Sequence, residues 1–273
     1  MTLPGEAAAG WQGGSVRASA RCVLAANPGP MTLEGTNTWV VAAADADRAV
    51  VVDPGPAHER HLQAVLAAAG DRQVAQILLT HGHADHSEGA PRLAELTGAP
   101  VRALDPAYLL GGDGLQGGEV VALAGVELEV VGTPGHTPDS LTFLLRDEAG
   151  AALLTGDTVL GRGTTVIMHP DGRLGDYLRS LDELQDLVGR EAVDQVLPGH
   201  GPVLTDPRSA LDSYRRHRVQ RLDQVAAAVD GGARSAAEVV AVVYADVDRA
   251  LWPAAELSVR AQLAYLAETG DLD

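Results

Sequence analysis

The sequence predicts a layered α/β domain followed by a shorter all-helical stretch. Three observations carry this. Through about residue 204, apolar runs of strand length alternate with segments of helical periodicity. Several of these runs end in Gly-flanked turns bearing His or Asp, as in "THGHADHSEG", "GTPGHTPDS", "LLTGDTVLG" and "LPGHGP". After residue 204 only helical spacing remains. The expected organisation is a catalytic unit over 1–205 and a helical unit over 206–273.

Residues 1–14 are rich in Gly and Ala and predict poor order. "SVRASARCVLAAN" reads as one first strand. "NTWVVAA" (37–43) and "RAVVVD" (48–53) read as a strand pair around the acidic turn "ADAD". "AHERHLQAVLAAAG" has helical spacing and closes at Gly70. "VAQILLT" (74–80) is a strand running into the histidine cluster. The next helix is expected over 87–98, with Ser87 as its cap. Strands follow near 100–103, 119–123, 126–132, 139–147 and 151–157. "DYLRSLDELQDLVG" (176–189) is amphipathic, with Leu178, Leu181, Leu184 and Leu187 on one stripe. A last strand over 192–201 precedes helices near 206–229, 234–244 and 253–269. These helices suggest a reduced winged-helix unit, since "YLAETGDLD" ends the sequence where a wing hairpin would begin.

Composition bounds the function. The chain has 273 residues, 46% of them hydrophobic, but one Phe and three Trp, so its core is built from small aliphatic groups. All 20 cations are Arg, a bias read as compositional. The formal charge is −17, concentrated in residues 1–206, where 12 Arg face 27 acids. Such a field repels polyanions at long range, and no DNA partner is expected. A single cysteine, Cys22, excludes an intramolecular disulfide and reads as a small buried strand residue. A basic start followed by an apolar run is missing, as is any apolar run of 18 residues, so a cytoplasmic protein without membrane attachment is the expectation. A monomer or homodimer is expected.

The chemistry concentrates in "THGHADH". His81 and His83 alternate along an extended segment and face one ion. The chain then turns, so Asp85 and His86 face a second. His136, Asp157 and His200 each follow a strand in a Gly-flanked turn, where glycine lets the backbone bend sharply. The expected assignment is His81, His83 and His136 on one ion, and Asp85, His86 and His200 on the other. Asp157 bridges. Alone, His136 or His200 reads equally well as a loop residue; seven such side chains at strand ends do not. Imidazole nitrogen and carboxylate oxygen suit two Zn²⁺ ions, and Fe or Mn also fit. Two ions sharing a hydroxide give a nucleophile near neutral pH, with Asp85 orienting it or relaying its proton. That predicts a hydrolase without naming a substrate.

These motifs, in this order, resemble those of the metallo-β-lactamase superfamily. The resemblance implies a four-layer αββα sandwich whose "HxHxDH" motif and later His, Asp and His bind a dinuclear centre. It also implies that Asp53 in "VVVDPG" supports the metal loop; otherwise Asp53 is a turn acid before Pro54 and Gly55. "NPGPMTLEGTNTWVV", "GDTVLGRGTTV" and "DYLRSLDEL" extend the similarity to the lactamase-beta-like protein 2 subgroup. That implies a hydrolase, with endoribonuclease activity on single-stranded RNA in one branch. Without a Cys ligand, and with Asp157 bridging, the pattern departs from true β-lactamases. Glyoxalase II-like thioesterases share the ligand set, although no glutathione-binding segment is evident.

Three substrate classes follow: single-stranded RNA, a small-molecule thioester or lactone, or no substrate in a purely binding protein. The intact ligand set disfavours the last. Net −15 on the catalytic unit and scarce aromatic residues count against RNA. Asn37, Thr164 and Thr165 are candidate hydrogen-bond donors in the pocket, or else turn residues with local bonds. On the helix from 206, Arg218 falls within the apolar stripe of Leu211, Tyr214, Leu222 and Val225, where an Arg must pair, snorkel or reach a ligand. Residues 206–221 hold five Arg and two Asp, the one cationic island. Arg218 and Arg221 are candidate phosphate contacts; the alternative is structural ion pairing.

Overall fold

A computed structural model describes residues 10–270. Residues 1–9, most of the Gly/Ala-rich start, lie outside the described residues. Two sheets face each other. The first is built in spatial order from β1 (Gly14–Arg17), β2 (Ala20–Leu24), β3 (Asn37–Val41), β4 (Arg48–Val52), β5 (Gln73–Leu78) and β6 (Val101–Arg102). The second runs β11 (Val193–Pro198), β10 (Gly150–Gly156), β9 (Leu141–Asp147), β8 (Val126–Gly132) and β7 (Val120–Leu123). Pairing is antiparallel except along β4–β5–β6 and between β10 and β11.

Helices cover both outer faces. α1 (Glu59–Ala69) and α3 (Ala90–Thr97) pack on the first sheet, and α4 (Leu174–Glu191) and α5 (Pro207–Asp230) on β11 of the second. The result is the four-layer αββα sandwich. Strand β3 is buried along its whole length, and its Trp39 shares one apolar cluster with Phe143 of β9, both essentially inaccessible. Trp39 Nε1 donates to Pro198 O at 3.1 Å, which ties the sheets together polarly as well. A second cluster joins β10 and β11 to α4, α5, α6 (Ala236–Val243) and α7 (Trp252–Thr269). In it Leu153 and Val196 pack with Tyr177, Leu181, Tyr214 and Val225.

Local structure departs from expectation in three places. The single first strand is a hairpin, β1 and β2 joined by Ala18–Ser19. That turn has no Gly or Asn; Arg17 and Ser19 hold it through Asp147 of the opposite sheet. Residues 10–14 are tied rather than loose, because Trp11 Nε1 donates to Asn37 Oδ1 at 2.8 Å. The helix expected from Ser87 is split into α2 (Ala84–Ser87) and α3. Ser87 does not cap it: its hydroxyl donates to Gly82 O at 2.9 Å, and Gly89 occupies the cap position. The C-terminal helices lie close to the expected bounds, with Asp206 and Ser235 capping α5 and α6. No helix among the described residues is long and apolar enough to cross a membrane.

Candidate metal centre

All seven predicted ligands converge on one edge of the sandwich. Four come from the first sheet: His81 and His83 follow β5, and Asp85 and His86 lie on α2. Three come from the second: His136 in the β8–β9 turn, Asp157 directly after β10, and His200 after β11. Their ligand atoms form two groups, one of His81, His83, His136 and Asp157, the other of Asp85, His86 and His200.

The far side of each ring decides which nitrogen faces inward. His136 Nδ1 donates to Val166 O at 2.9 Å and His200 Nδ1 to Gly35 O at 3.1 Å, because a carbonyl can only accept. His86 Nδ1 donates to Asp53 Oδ2 at 2.8 Å. Thr80 Oγ1 gives its one proton to Asp53 Oδ2 at 2.7 Å, so it accepts from His81 Nδ1 at 3.0 Å. Four Nε2 lone pairs therefore point into the site. His83 presents Nδ1 instead, 3.0 Å from His81 Nε2 and 3.1 Å from His136 Nε2.

Acceptors facing acceptors at these distances require a cation. A tetrahedral zinc with bonds of about 2.0–2.1 Å sets its ligands roughly 3.3 Å apart. Here His86 and His200 Nε2 are 3.3 Å apart. Asp157 Oδ1 is 3.4 Å from each of them, while Oδ2 is 3.6 Å from His136 Nε2, so one carboxylate addresses both groups. Asp157 Oδ1 is buried without a hydrogen bond, a ligand atom in want of a metal. The residues fit two metal ions. Without metal, protons take their place. Burial alone would lower His86 and His200, but Asp157, with Asp53 beside His86 and Asp85 beside His200, outweighs it; His86 rises well above its ordinary value and His200 to about 9. Burial would raise Asp157 and Asp85, and the same imidazoles reverse this, holding Asp157 well below the carboxylate range and Asp85 at about 2. Burial dominates at His81 and His136 and lowers both.

Asp53 lies directly behind the candidate ligands, accepting from Thr80 N, Thr80 Oγ1 and His86 Nδ1. It sits at φ 52°, a left-handed conformation that Asp tolerates better than most residues. Two supports were not anticipated: Thr80, and Thr36, whose hydroxyl donates to Asp85 Oδ2 at 3.2 Å. Thr36 belongs to the "PMTLEGTNT" loop already singled out, and Thr80 directly precedes His81.

A cleft of about 390 Å³ opens beside the ligands, lined by Met31, Leu33, Leu160, Val166 and Met168, and also by Thr164 and Thr165. Its one Arg among the described residues, Arg162, is paired with Glu34 across the mouth. Asn37 does not line it. Asn37 is fully buried, donating to Pro198 O at 2.9 Å and Gly201 O at 2.8 Å, and so holds the turn that carries His200. Arg218 and Arg221 do not reach it either. Arg218 is buried against Thr165 O and the Tyr177 ring, and Arg221 donates to Val243 O beneath Tyr244. Arg215 pairs with Asp182, so much of the cationic island is structural.

Comparison with known proteins fits this geometry. Residues 31–200 match the model of the metallo-beta-lactamase superfamily. The chain belongs to the metallo-beta-lactamase superfamily. With its His/Asp centre, this superfamily member is a metallo-hydrolase. Residues 235–271 match a beta-lactamase associated winged helix domain. A Beta-lactamase-like protein 2 homolog of Caenorhabditis elegans is 32% identical over 91% of this chain and 84% of the relative. An atrochrysone carboxyl ACP thioesterase of Aspergillus fumigatus is 35% identical over 74% of this chain and 62% of the relative, so the chain spans under two thirds of that enzyme. The crystal structure of a metallo-beta-lactamase family protein from Thermus thermophilus superimposes with a TM-score of 0.78, at 24% identity, over 94% of this chain and 95% of that one; it shows the superfamily fold.

Proposed function

We propose that this metallo-hydrolase cleaves acyl thioesters. The observation that carries the reading is the cleft: apolar side chains of Met31, Leu33, Leu160, Val166 and Met168 lead to Asp85, Asp157 and His200. An acyl chain suits such walls, and its carbonyl would lie at the ligand cluster. Among the described residues, the one Arg at the mouth is neutralised by Glu34, which leaves no free guanidinium there to grip a run of phosphates. Similarity to a relative named as an ACP thioesterase agrees with this chemistry.

Two divalent ions, when bound, supply Lewis acidity for the carbonyl oxygen and acidify water towards neutrality. The chain does the rest. Asp85, oriented by Thr36, accepts a hydrogen bond from the attacking water. The new bond joins water oxygen to acyl carbon, the carbon–sulfur bond breaks, and the thiolate leaves and takes a proton. The apolar walls hold the acyl group and exclude competing water.

Single-stranded RNA is the second reading, implied by the resemblance of the sequence motifs to the lactamase-beta-like protein 2 subgroup. A parallel assay of the zinc-loaded protein on acyl thioesters, lactones, single-stranded RNA and bis-p-nitrophenyl phosphate decides. Thioester turnover that disappears in Asp157→Ala is the expected result. RNA cleavage that needs Asp157, with thioesters untouched, would reverse the proposal.

A further inference from the structure

Arg218 is 5% exposed in the middle of the α5 apolar stripe, yet it forms no ion pair with a carboxylate among the described residues. Its Nη2 donates to Thr165 O, its guanidinium lies 5.0 Å from the Tyr177 ring centroid, and its Nε has no partner. A cation buried this way costs stability compared with an apolar residue of similar volume. The packing of α5 alone therefore gives no reason for it.

What it touches supplies one. Thr165 O lies in the segment that leaves Asp157 and forms one wall of the cleft. That segment is held at two other backbone points by the same helical layer. Tyr177 Oη donates to Thr158 O at 2.6 Å, and Tyr214 Oη, one turn before Arg218 on α5, accepts from Leu160 N at 2.7 Å. The segment ends at Val166, whose carbonyl accepts the Nδ1 proton of His136 at 2.9 Å, and Thr165 Oγ1 lies 3.3 Å from that same nitrogen. A backbone acceptor cannot orient an imidazole unless something fixes the backbone. Arg218 holds the peptide group directly before that acceptor.

We propose that Arg218 is a positioning residue for His136: through Thr165 O it fixes the Val166 carbonyl that orients the imidazole, and so makes the C-terminal helices part of the metal centre. The inference rests on the candidate ligand set and is independent of the substrate. Ligand-orienting partners of metal-bound histidines typically contribute about 10–100-fold in metal affinity, and a partner acting through one peptide group belongs at the lower end of that range.

The test uses the full chain, with zinc and cobalt(II) as probes titrated against a chromophoric chelator. Arg218→Met keeps volume and apolar packing. It is expected to remain folded by circular dichroism, to bind one of its two ions about tenfold more weakly, and to show an altered cobalt(II) absorption spectrum. Arg218→Lys keeps the charge and one reachable donor, and is expected to recover part of the lost affinity but not all. Val225→Ala, in the same apolar cluster but without a polar contact to the segment, should lower the melting temperature and leave metal affinity unchanged. The proposal fails if the folded Arg218 variants bind both ions as the wild type does, with Arg218→Lys alone sufficient should Arg218→Met not fold. It also fails if Val225→Ala weakens metal binding as much as Arg218→Met.

Discussion

Gly199 backs directly onto Asp157: a methyl group on Gly199 would stand 2.7 Å from Asp157 Oδ1 and 2.7 Å from His86 Cε1. Both neighbours are candidate ligands fixed by burial, so neither can yield as a flexible side-chain tip would. Gly199→Ala is therefore expected to lower the melting temperature, as overpacking by about 1–3 kcal/mol does, and to lose metal stoichiometry in the folded protein, read by elemental analysis. Full loading in this variant would mean that the ligands have freedom the packing denies them.

Metal uptake should release protons. With His200 at about 9 and His86 well above its ordinary value in the metal-free chain, both are protonated at neutral pH, and their Nε2 protons must leave before metal can bind. Zinc titrations at pH 7.5 in buffers of different ionisation enthalpy should give different apparent heats, and affinity should fall as pH falls. Identical heats in every buffer would contradict protonation of both imidazoles in the metal-free chain. A histidine raised in the folded state stabilises the fold fully below its unfolded value, about 6.5, and loses that contribution as pH rises through the folded value. The metal-free protein should accordingly lose melting temperature from about pH 6.5 up to about 9.

The hairpin β1–β2 is anchored by Arg17, whose Nε lies 2.8 Å from Asp147 Oδ2 and whose Nη1 lies 2.6 Å from Asp194 Oδ1. The bond from Arg17 lowers Asp147 to about 2. A depressed carboxylate stabilises above its unfolded value and loses that contribution as pH falls through its folded one. The lost stability is on the order of 2 kcal/mol between about pH 4 and pH 2. Arg17→Met should shrink this acid transition in urea denaturation curves and destabilise the protein by about 2–3 kcal/mol at pH 7, because Asp147 keeps only its bonds from Ser19 Oγ and Ala149 N. Equal stabilities at pH 7 would show the pair to be idle.

The cleft mouth makes a charge prediction. Glu34→Gln leaves Arg162 unpaired, so the ratio of kcat/KM for a succinyl over a butyryl thioester should rise by about tenfold, the scale of one charged hydrogen bond. Glu34→Gln/Arg162→Gln should return to the wild-type ratio. If the double variant behaves as the single one does, loosening of the two loops is responsible and not the exposed charge.

The strand–turn logic picked out the candidate ligands because most of them follow an apolar run directly, where residue type and position both appear in the chain. Asp53 came from the family resemblance, and Thr164 and Thr165 from their Gly- and Thr-rich loop after Asp157. The contacts of Asn37 and Arg218 were not legible. Their partners are main-chain carbonyls of remote turns, Pro198 and Thr165, and a carbonyl leaves no mark in a residue code. The β1–β2 turn escaped notice because bonds from Arg17 and Ser19 to the remote Asp147 stand in for turn-forming residues. Pairing of Arg162 with Glu34 joins residues 128 apart in the chain, beyond the reach of any local pattern.

Because β5 and α2 deliver His81, His83, Asp85 and His86, while β8–β9, β10 and β11 deliver His136, Asp157 and His200, cations held there would act as rivets through both halves of the sandwich. Sliding of one sheet over the other would then be arrested at the rim. The packing between the sheets, in which Trp39 and Phe143 share one apolar cluster, would then govern the spacing of the two candidate ligand groups. A change of side-chain volume in that cluster should reach the reacting atoms even though it touches none of them.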